Sequence, residues 1–168
     1  EEIANDNSRK FLPVAIAITA WGRQQLVEMA NILGEDFLYC DTDSIHFLRT
    51  GEWKIEKAME QGIFEVHPTK LGAWDKEGNY KRGRYLRSKC YMEETEDGEM
   101  LATVAGLPAD KHTGQFSKKR SCLTWGNFYI GHYVPPEQSN KLATMPTNTG
   151  NKLVPTSFKI KEKETIFG

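Results

Sequence analysis

The most informative part of the sequence is the stretch FLYCDTDSIHFL, residues 37–48. Residues 37–40 are apolar or aromatic and predict a buried strand, and residues 45–48 predict a second strand. The four residues between them, Asp41 to Ser44, are of types that favour turns. The stretch therefore predicts a β-hairpin that carries two acids at its tip.

The two acids of this hairpin, Asp41 and Asp43, suit a divalent metal ion. Carboxylate oxygens are preferred ligands of hard cations such as Mg²⁺. Two like charges beside apolar strands cost free energy unless a cation compensates them. Enzymes of phosphoryl transfer hold two metals about 3.5–4 Å apart, and such a site takes carboxylates from more than one strand. Taken alone, however, the pattern also fits a plain turn.

Two other segments complete the coarse prediction. Residues 14–33 favour a helix that stops at Gly34, and the first half of this helix is apolar on all sides, which predicts that it is buried. Residues 84–92 alternate as a single strand, with Tyr85 and Tyr91 on a cationic face and Cys90 and Met92 on the core face. Five basic residues in the nine at 81–89 fit phosphate contacts or a solvated surface.

Composition sets limits on the class of protein. The chain has 168 residues, 39% of them hydrophobic, and a net charge of −1. This excludes wholesale disorder and a uniformly basic coat, although a local basic stripe remains possible. Three scattered cysteines without a Cys-x-x-Cys pair predict neither a disulfide framework nor a zinc site, and reduced thiols fit the cytosol. The run from Val14 to Trp21 is too short for a membrane span of about 20 residues, and no membrane partner is expected.

The sequence resembles a known family at these same places. Tyr39 to Ser44, Tyr-x-Asp-Thr-Asp-Ser, resembles the motif C hairpin in the palm of family B DNA polymerases, and especially of the protein-primed bacteriophage branch. The similarity extends through residues 18–23, 70–74 and 81–91, the last of which contains a Lys-x-Tyr motif at Lys89 and Tyr91. It continues more weakly at residues 105–107 and 127–128.

The resemblance implies a fold and an activity. The fold would be α+β, with an antiparallel-sheet palm portion and a packed helix at residues 1–104, followed by a small mixed thumb at residues 105–168. The enzyme would be a DNA-directed DNA polymerase that adds deoxynucleotides to a primer 3′-hydroxyl by two-metal catalysis. The motif A aspartate, the motif B lysine and an exonuclease signature are not found in the sequence, and the chain opens with Glu1. We therefore expect a piece of a longer polymerase, inactive alone, whose Mg²⁺ site is completed by an Asp outside this chain.

The resemblance also implies the roles of individual residues. Asp43 would be the principal ligand of both metals and Asp41 the second acid. Lys89 would neutralise a phosphate near the primer terminus, and Tyr91 would position the terminal nucleotide. The further predicted DNA contacts are Arg87, Thr19 and Arg23. The expected partners are primer–template DNA and deoxynucleoside triphosphates, together with a terminal protein if priming is by protein. The expected place of action is the cytoplasm of a bacterium or of a phage-infected cell.

Two alternatives stay open from the residues alone. Haloacid-dehalogenase-type phosphatases also place Asp-x-Asp after an apolar strand, but they need a parallel sheet and a downstream acidic pair. A non-enzymatic nucleic-acid-binding module would explain the basic strand but not the acidic hairpin. The cluster Lys118-Lys119-Arg120 fits either a grip on duplex phosphates or a plain surface.

Overall fold

A computed structural model describes residues 12–110 and 118–162 of the chain. The chain divides into two compact units, which we name the first unit (Glu1–Lys76) and the second unit (Glu77–Gly168). The described residues form antiparallel sheets with few helices, so the predicted α+β class is confirmed. Within the described ranges, no helix has both the length and the apolar character needed to cross a membrane.

The first unit begins with the long helix α1, Leu12–Leu33, as the composition predicted. The helix ends where Gly34 adopts a φ of +57°, a left-handed conformation that glycine takes without a steric penalty. A short 3₁₀ turn leads into β1, Phe37–Asp41, which pairs antiparallel with β2, Ser44–Phe47. A second 3₁₀ turn precedes α2, Glu52–Glu60. The predicted helix and hairpin are both confirmed.

The prediction that the first half of α1 is buried is wrong for this chain. The exposed fractions are 59% for Leu12, 58% for Ile16 and 63% for Ile18. In α1, Met29 and Leu33 are the buried residues, and both lie in its second half. An all-round apolar helix predicts burial only when a second layer of structure covers it, and the described residues of this unit do not cover the first three turns.

The second unit is built on a three-stranded antiparallel sheet. Its strands are β3 (Tyr80–Arg87), β4 (Cys90–Thr95) and β5 (Met100–Val104), in that order. The short strands β6 (Tyr133–Val134) and β9 (Phe158–Lys159) pair with each other. Between them lie the short helix α3 (Pro136–Ser139) and a hairpin of β7 (Leu142–Thr147) and β8 (Gly150–Pro155).

One face of this sheet forms the core of the second unit. Cys90 and Met92 of β4 point into this core, which confirms the prediction that both lie on the core face. The buried core residues, which come from both sides of residue 104, are Cys90, Met92, Ala102, Val104, Leu107, Leu123, Phe128, Val134, Phe158 and Ile160. The palm–thumb boundary near residue 104 refers to the whole enzyme and stays a prediction. The sequence also predicts a helix over residues 108–119, begun by Pro108; residues 111–117 lie outside the described part of the chain, and residues 108–110 and 118–119 are not helical.

The prediction of one strand over residues 84–92 is wrong. The segment forms two antiparallel strands joined by a tight turn at Ser88 and Lys89. Lys89 adopts a φ of +53° in this turn. Tyr85 and Tyr91 do share a face, because they are direct cross-strand partners rather than members of one strand. The register shifts between Tyr85 and Arg87, so Arg87 and Lys89 do not continue that face.

Candidate active site and DNA-binding strands

The two predicted metal ligands lie at the tip of the β1–β2 hairpin. Asp41 ends β1 opposite Ser44, and Thr42 and Asp43 form the turn between them. Thr42 adopts a φ of +42°, which is unusual for a β-branched residue and marks a strained turn. The Asp41 side chain is half-buried and that of Asp43 is exposed. The hairpin therefore presents two carboxylates, one residue apart, at a bend.

Hydrogen bonds inside the turn hold its shape. The Asp43 backbone N–H donates to the Asp41 carbonyl oxygen. The Thr42 hydroxyl donates to Asp41 Oδ1 at 3.0 Å, and the Ser44 hydroxyl donates to the Asp41 carbonyl oxygen at 3.2 Å. The turn residues between and after the acids thus fix the backbone from which both carboxylates extend.

An anchor that the sequence did not reveal lies at the base of the hairpin. The Leu48 N–H donates to the Asp36 carbonyl oxygen at 2.8 Å. The Asp36 carboxylate forms an ion pair with Lys54 at 2.6 Å and accepts a hydrogen bond from Thr50. Lys54 also donates to the Leu33 carbonyl oxygen at 2.7 Å, so that one side chain ties α2 to the end of α1. These hydrogen bonds, from Lys54 first, lower the pKa of Asp36 below its ordinary value.

Thr19 and Arg23 lie one turn apart on α1, and both side chains are exposed. The Thr19 hydroxyl donates within the helix, to the Ala15 carbonyl oxygen at 3.1 Å and the Ile16 carbonyl oxygen at 2.9 Å. Gly22 lies between them, and a Cβ there would meet no atom within 4 Å. Among the described residues, no atom therefore covers this side of the helix at Gly22.

Lys89 and Tyr91 differ sharply in accessibility. Lys89 is exposed in the β3–β4 turn, where its carbonyl oxygen accepts from the Ala105 N–H at 2.8 Å. Tyr91 is only 6% exposed, and its ring centroid lies 5.8 Å from that of Tyr85. A nearly buried ring offers no open face on which a base could stack, so a contact with DNA would have to use an edge or the hydroxyl.

Two arginines of the basic run, the predicted DNA contact Arg87 and its neighbour Arg84, also form hydrogen bonds within the fold. Arg87 Nε donates to the Lys161 carbonyl oxygen at 2.9 Å, and its Nη1 donates to the Ser88 carbonyl oxygen at 2.9 Å. Arg84 Nη1 donates to the carbonyl oxygens of Trp125 and Phe128, each at 2.9 Å. Much of the basic run at 81–89 thus supports the second unit internally.

The same holds for the cluster at residues 118–120. Arg120 is half-buried, and it donates to the carbonyl oxygens of Leu107 and Ala102. Lys118 pairs with Glu77 at 3.4 Å and Lys119 with Glu99 at 3.2 Å. Each member of the cluster therefore has a structural partner, which favours the plain-surface interpretation over a grip on duplex phosphates.

The Trp125 side chain also contributes to the hydrogen bonds and ionic contacts within the second unit. Its Nε1–H donates to Glu94 at 3.0 Å, and the Arg82 guanidinium lies 4.2 Å from its ring centroid. Arg82 also pairs with Glu94 at 2.6 Å, and this hydrogen bond lowers the pKa of Glu94. A cation over an aromatic face adds attraction to the ion pair.

The phosphatase alternative does not fit the hairpin. It requires the Asp-x-Asp to follow a strand of a parallel sheet, whereas β1 pairs antiparallel with β2 directly across the acids.

In residues 12–110 and 118–162, no three His, Cys, Asp or Glu side chains are grouped so as to hold a metal ion.

Phage DNA polymerases match this chain over about nine-tenths of its length. The DNA polymerase of Bacillus phage PZA is 33% identical over 165 aligned residues, which cover 90% of this chain and 26% of the phage protein. The DNA polymerase of Streptococcus phage Cp-1 is 30% identical over 158 residues, covering 93% of this chain and 24% of that protein. No protein-family model matches the chain. The chain spans about a quarter of the length of these curated relatives.

The fold agrees with the sequence comparison. A structure of phi29 DNA polymerase complexed with primer–template DNA superposes with a TM-score of 0.69 and 28% identity, covering 89% of this chain and 26% of that one. Another crystal form of phi29 DNA polymerase gives a TM-score of 0.66 over 87% of this chain. The resemblance stated from motif C and the Lys-x-Tyr motif is therefore confirmed: over most of its length this chain is homologous to about a quarter of a phage DNA polymerase of the phi29 type.

Proposed function

We propose that this chain supplies part of the palm and the thumb of a protein-primed family B DNA polymerase that works in a phage-infected cell. The complete enzyme would add deoxynucleotides from triphosphates to a primer 3′-hydroxyl. The main support is the β1–β2 hairpin, which carries Asp41 and Asp43 at a strained, internally bonded turn. The phage polymerases named above support the polymerase class.

Asp43 and Asp41 are the proposed ligands of Mg²⁺. The donor set fits, since carboxylate oxygens on short side chains at a bend suit a small hard cation. When bound, the metals lower the pKa of the attacking hydroxyl and stabilise the developing charge on the phosphate oxygens. The chain's own part is to fix the two carboxylates, and a further Asp from outside the chain completes the set. The hydrogen bonds of Thr42 and Ser44 to Asp41 perform that fixing.

Contacts to the primer–template are proposed for five residues. Lys89 places a charge at an exposed turn, where it can neutralise a phosphate. Tyr91 offers its hydroxyl or ring edge to the terminal nucleotide, because its face is covered. Arg87 is cationic, and its guanidinium donates to the carbonyl oxygens of Lys161 and Ser88. Thr19 and Arg23 are proposed to contact the DNA from one exposed side of α1. Because the priming mode follows the phage branch, a terminal protein is a further proposed partner.

The test uses the full-length polymerase that carries this chain. Asp43→Asn and Asp41→Asn should each lower the rate of primer extension with Mg²⁺ by about a thousandfold, the effect of losing several kcal/mol of transition-state stabilisation. Asp75→Asn, outside the hairpin in the same unit, is the matched control and should extend normally. Extension unaffected by both hairpin substitutions would contradict the proposal.

A second measurement tests the expected incompleteness of the chain. The 168-residue chain alone should show no template-dependent extension of a labelled primer at any Mg²⁺ concentration. Extension by the chain alone would show that the metal site needs no Asp from outside.

A further inference from the structure

A buried carboxylate lies on the same sheet face as Tyr91. Glu93 is 1% exposed, and it lies two residues beyond Tyr91 in β4, so the two side chains project to the same side. Met92, between them, points into the core on the other side. A buried carboxylate is costly unless it is hydrogen-bonded, so its position on this face calls for a specific partner.

Tyr85 connects Glu93 with Tyr91. The Tyr85 hydroxyl donates to Glu93 Oε1 at 3.2 Å. The Tyr85 ring lies 5.8 Å from the Tyr91 ring, with the two planes inclined at 32°. Because Tyr85 and Tyr91 are cross-strand partners, one side chain both packs against Tyr91 and is held at its far end by the carboxylate.

Gly83 provides the space for this arrangement. It is the cross-strand partner of Glu93, and a Cβ there would lie 2.8 Å from the Tyr85 hydroxyl oxygen and 2.9 Å from its Cε2. The backbone of Gly83 is not in the left-handed region, so the conformation does not require glycine. The missing side chain instead lets the Tyr85 ring lie back along its own strand and reach Glu93.

We propose that Glu93 and Tyr85, with the space left by Gly83, are positioning residues that fix the orientation of the Tyr91 ring toward the primer terminus. The inference rests on the proposed function of the chain. A ring that is already ordered loses little conformational freedom when it binds, so the device favours primer binding more than the chemical step. Burial, and then the charge of Glu93, raise the pKa of the Tyr85 phenol above its ordinary value. Tyr85 therefore stays protonated, and able to donate to Glu93, further into the alkaline range than an ordinary tyrosine.

The first test is steady-state extension by the full-length polymerase that carries this chain. Tyr85→Phe and Glu93→Leu should each raise KM for the primer terminus about tenfold, the scale of one lost hydrogen bond to a charged group, with a smaller change in kcat. The double variant should be no worse than the worse single variant. Glu93→Gln, which keeps an acceptor oxygen, should restore most of the primer binding. Tyr133→Phe removes an exposed hydroxyl of the same unit and is the matched control.

Unchanged KM in Tyr85→Phe and Glu93→Leu, additive losses in the double variant, or a Glu93→Gln variant as poor as Glu93→Leu would each overturn the inference. These results are distinct from a failure of the proposed function, which would abolish extension by the unmodified polymerase or leave it insensitive to Asp43→Asn.

A second test does not depend on activity. In the 168-residue chain, Glu93→Gln should lower the pH at which one tyrosine ionises, followed by phenolate absorbance, and Tyr133→Phe should leave that transition in place. Gly83→Ala keeps every hydrogen-bonding group but displaces the Tyr85 ring, and it should shift the same transition. If this transition lies at the same pH in Glu93→Gln, in Gly83→Ala and in the unmodified chain, the proposed contact is overturned, whether or not a variant of the full-length polymerase folds.

Discussion

The two units of the chain differ in how completely they bury their apolar residues. The second unit closes a core in which Phe128, Val134 and Ile160 have no exposed surface. The first unit carries the acidic hairpin, yet more than half of the surface of Ile16 and of Ile18 is exposed on α1. An exposed apolar surface of this kind is typical of an interface. The difference fits the proposal that the hairpin belongs to a larger palm, while the second unit stabilises itself.

The largest expected effect tests this contrast directly. Phe128→Ala should lower the free energy of unfolding of the second unit by about 3–5 kcal/mol, because it empties part of a closed core. Ile16→Ala should change the stability of the first unit by only about 0.5 kcal/mol, since the side chain is exposed. Urea unfolding followed by amide NMR signals of each unit measures both. Similar losses in the two variants would show that the first turns of α1 are packed in solution.

An intermediate effect concerns the anchor at the base of the hairpin. The pKa of Asp36 is lowered in the folded chain, so its contribution to stability is present above the ordinary value of 3.8 and is lost as the pH falls through the lowered value. Below about pH 4, the Leu48 amide, which donates to the Asp36 carbonyl, should lose protection from hydrogen exchange. Protection is measured by NMR after correction for the intrinsic exchange rate.

Asp36→Asn is the matched variant for this pH effect. It should remove the pH dependence of Leu48 protection. The stability of the second unit should still fall at acid pH in this variant, because the pKa of Glu94 is lowered there. Leu48 protection that falls with pH equally in both proteins would mean that another group controls the hairpin.

Local patterns predicted the first unit better than the second. The α1 helix is predicted by the composition of its own segment, and the β1–β2 hairpin by two short apolar runs with turn residues between them. Both patterns are local in the sequence. The β3–β4 turn was missed because Ser88 and Lys89 are not the residues that such turns usually use, and Lys89 takes a positive φ that is uncommon outside glycine and asparagine. A turn of that kind is set by the pairing of the strands on either side of it.

The candidate site shows the same limit. Asp41 and Asp43 could be chosen from the sequence because two neighbouring acids at a bend are a local pattern. The partners of Arg84, which lie at Trp125 and Phe128, and the bond between Tyr85 and Glu93 across two strands depend on tertiary structure. Arg87, a predicted DNA contact, likewise donates to the carbonyl oxygens of Lys161 and Ser88, and the sequence could not reveal these bonds.

The smallest expected effect is a gain in the stability of the first unit. Gly22 lies inside α1, its backbone is helical, and a Cβ there would meet nothing within 4 Å. Gly22→Ala should stabilise the unit by about 0.5–1 kcal/mol, because alanine loses less backbone entropy in a helix. Gly72→Ala is the matched control, since Gly72 has a φ of +84° and its Cβ would lie 2.8 Å from the Trp21 ring. That change should destabilise the same unit by about 1–2 kcal/mol. Thermal unfolding of both variants shows whether each change raises or lowers the stability of the first unit. A loss of stability in Gly22→Ala would mean that the exposed side of α1 is already covered in solution.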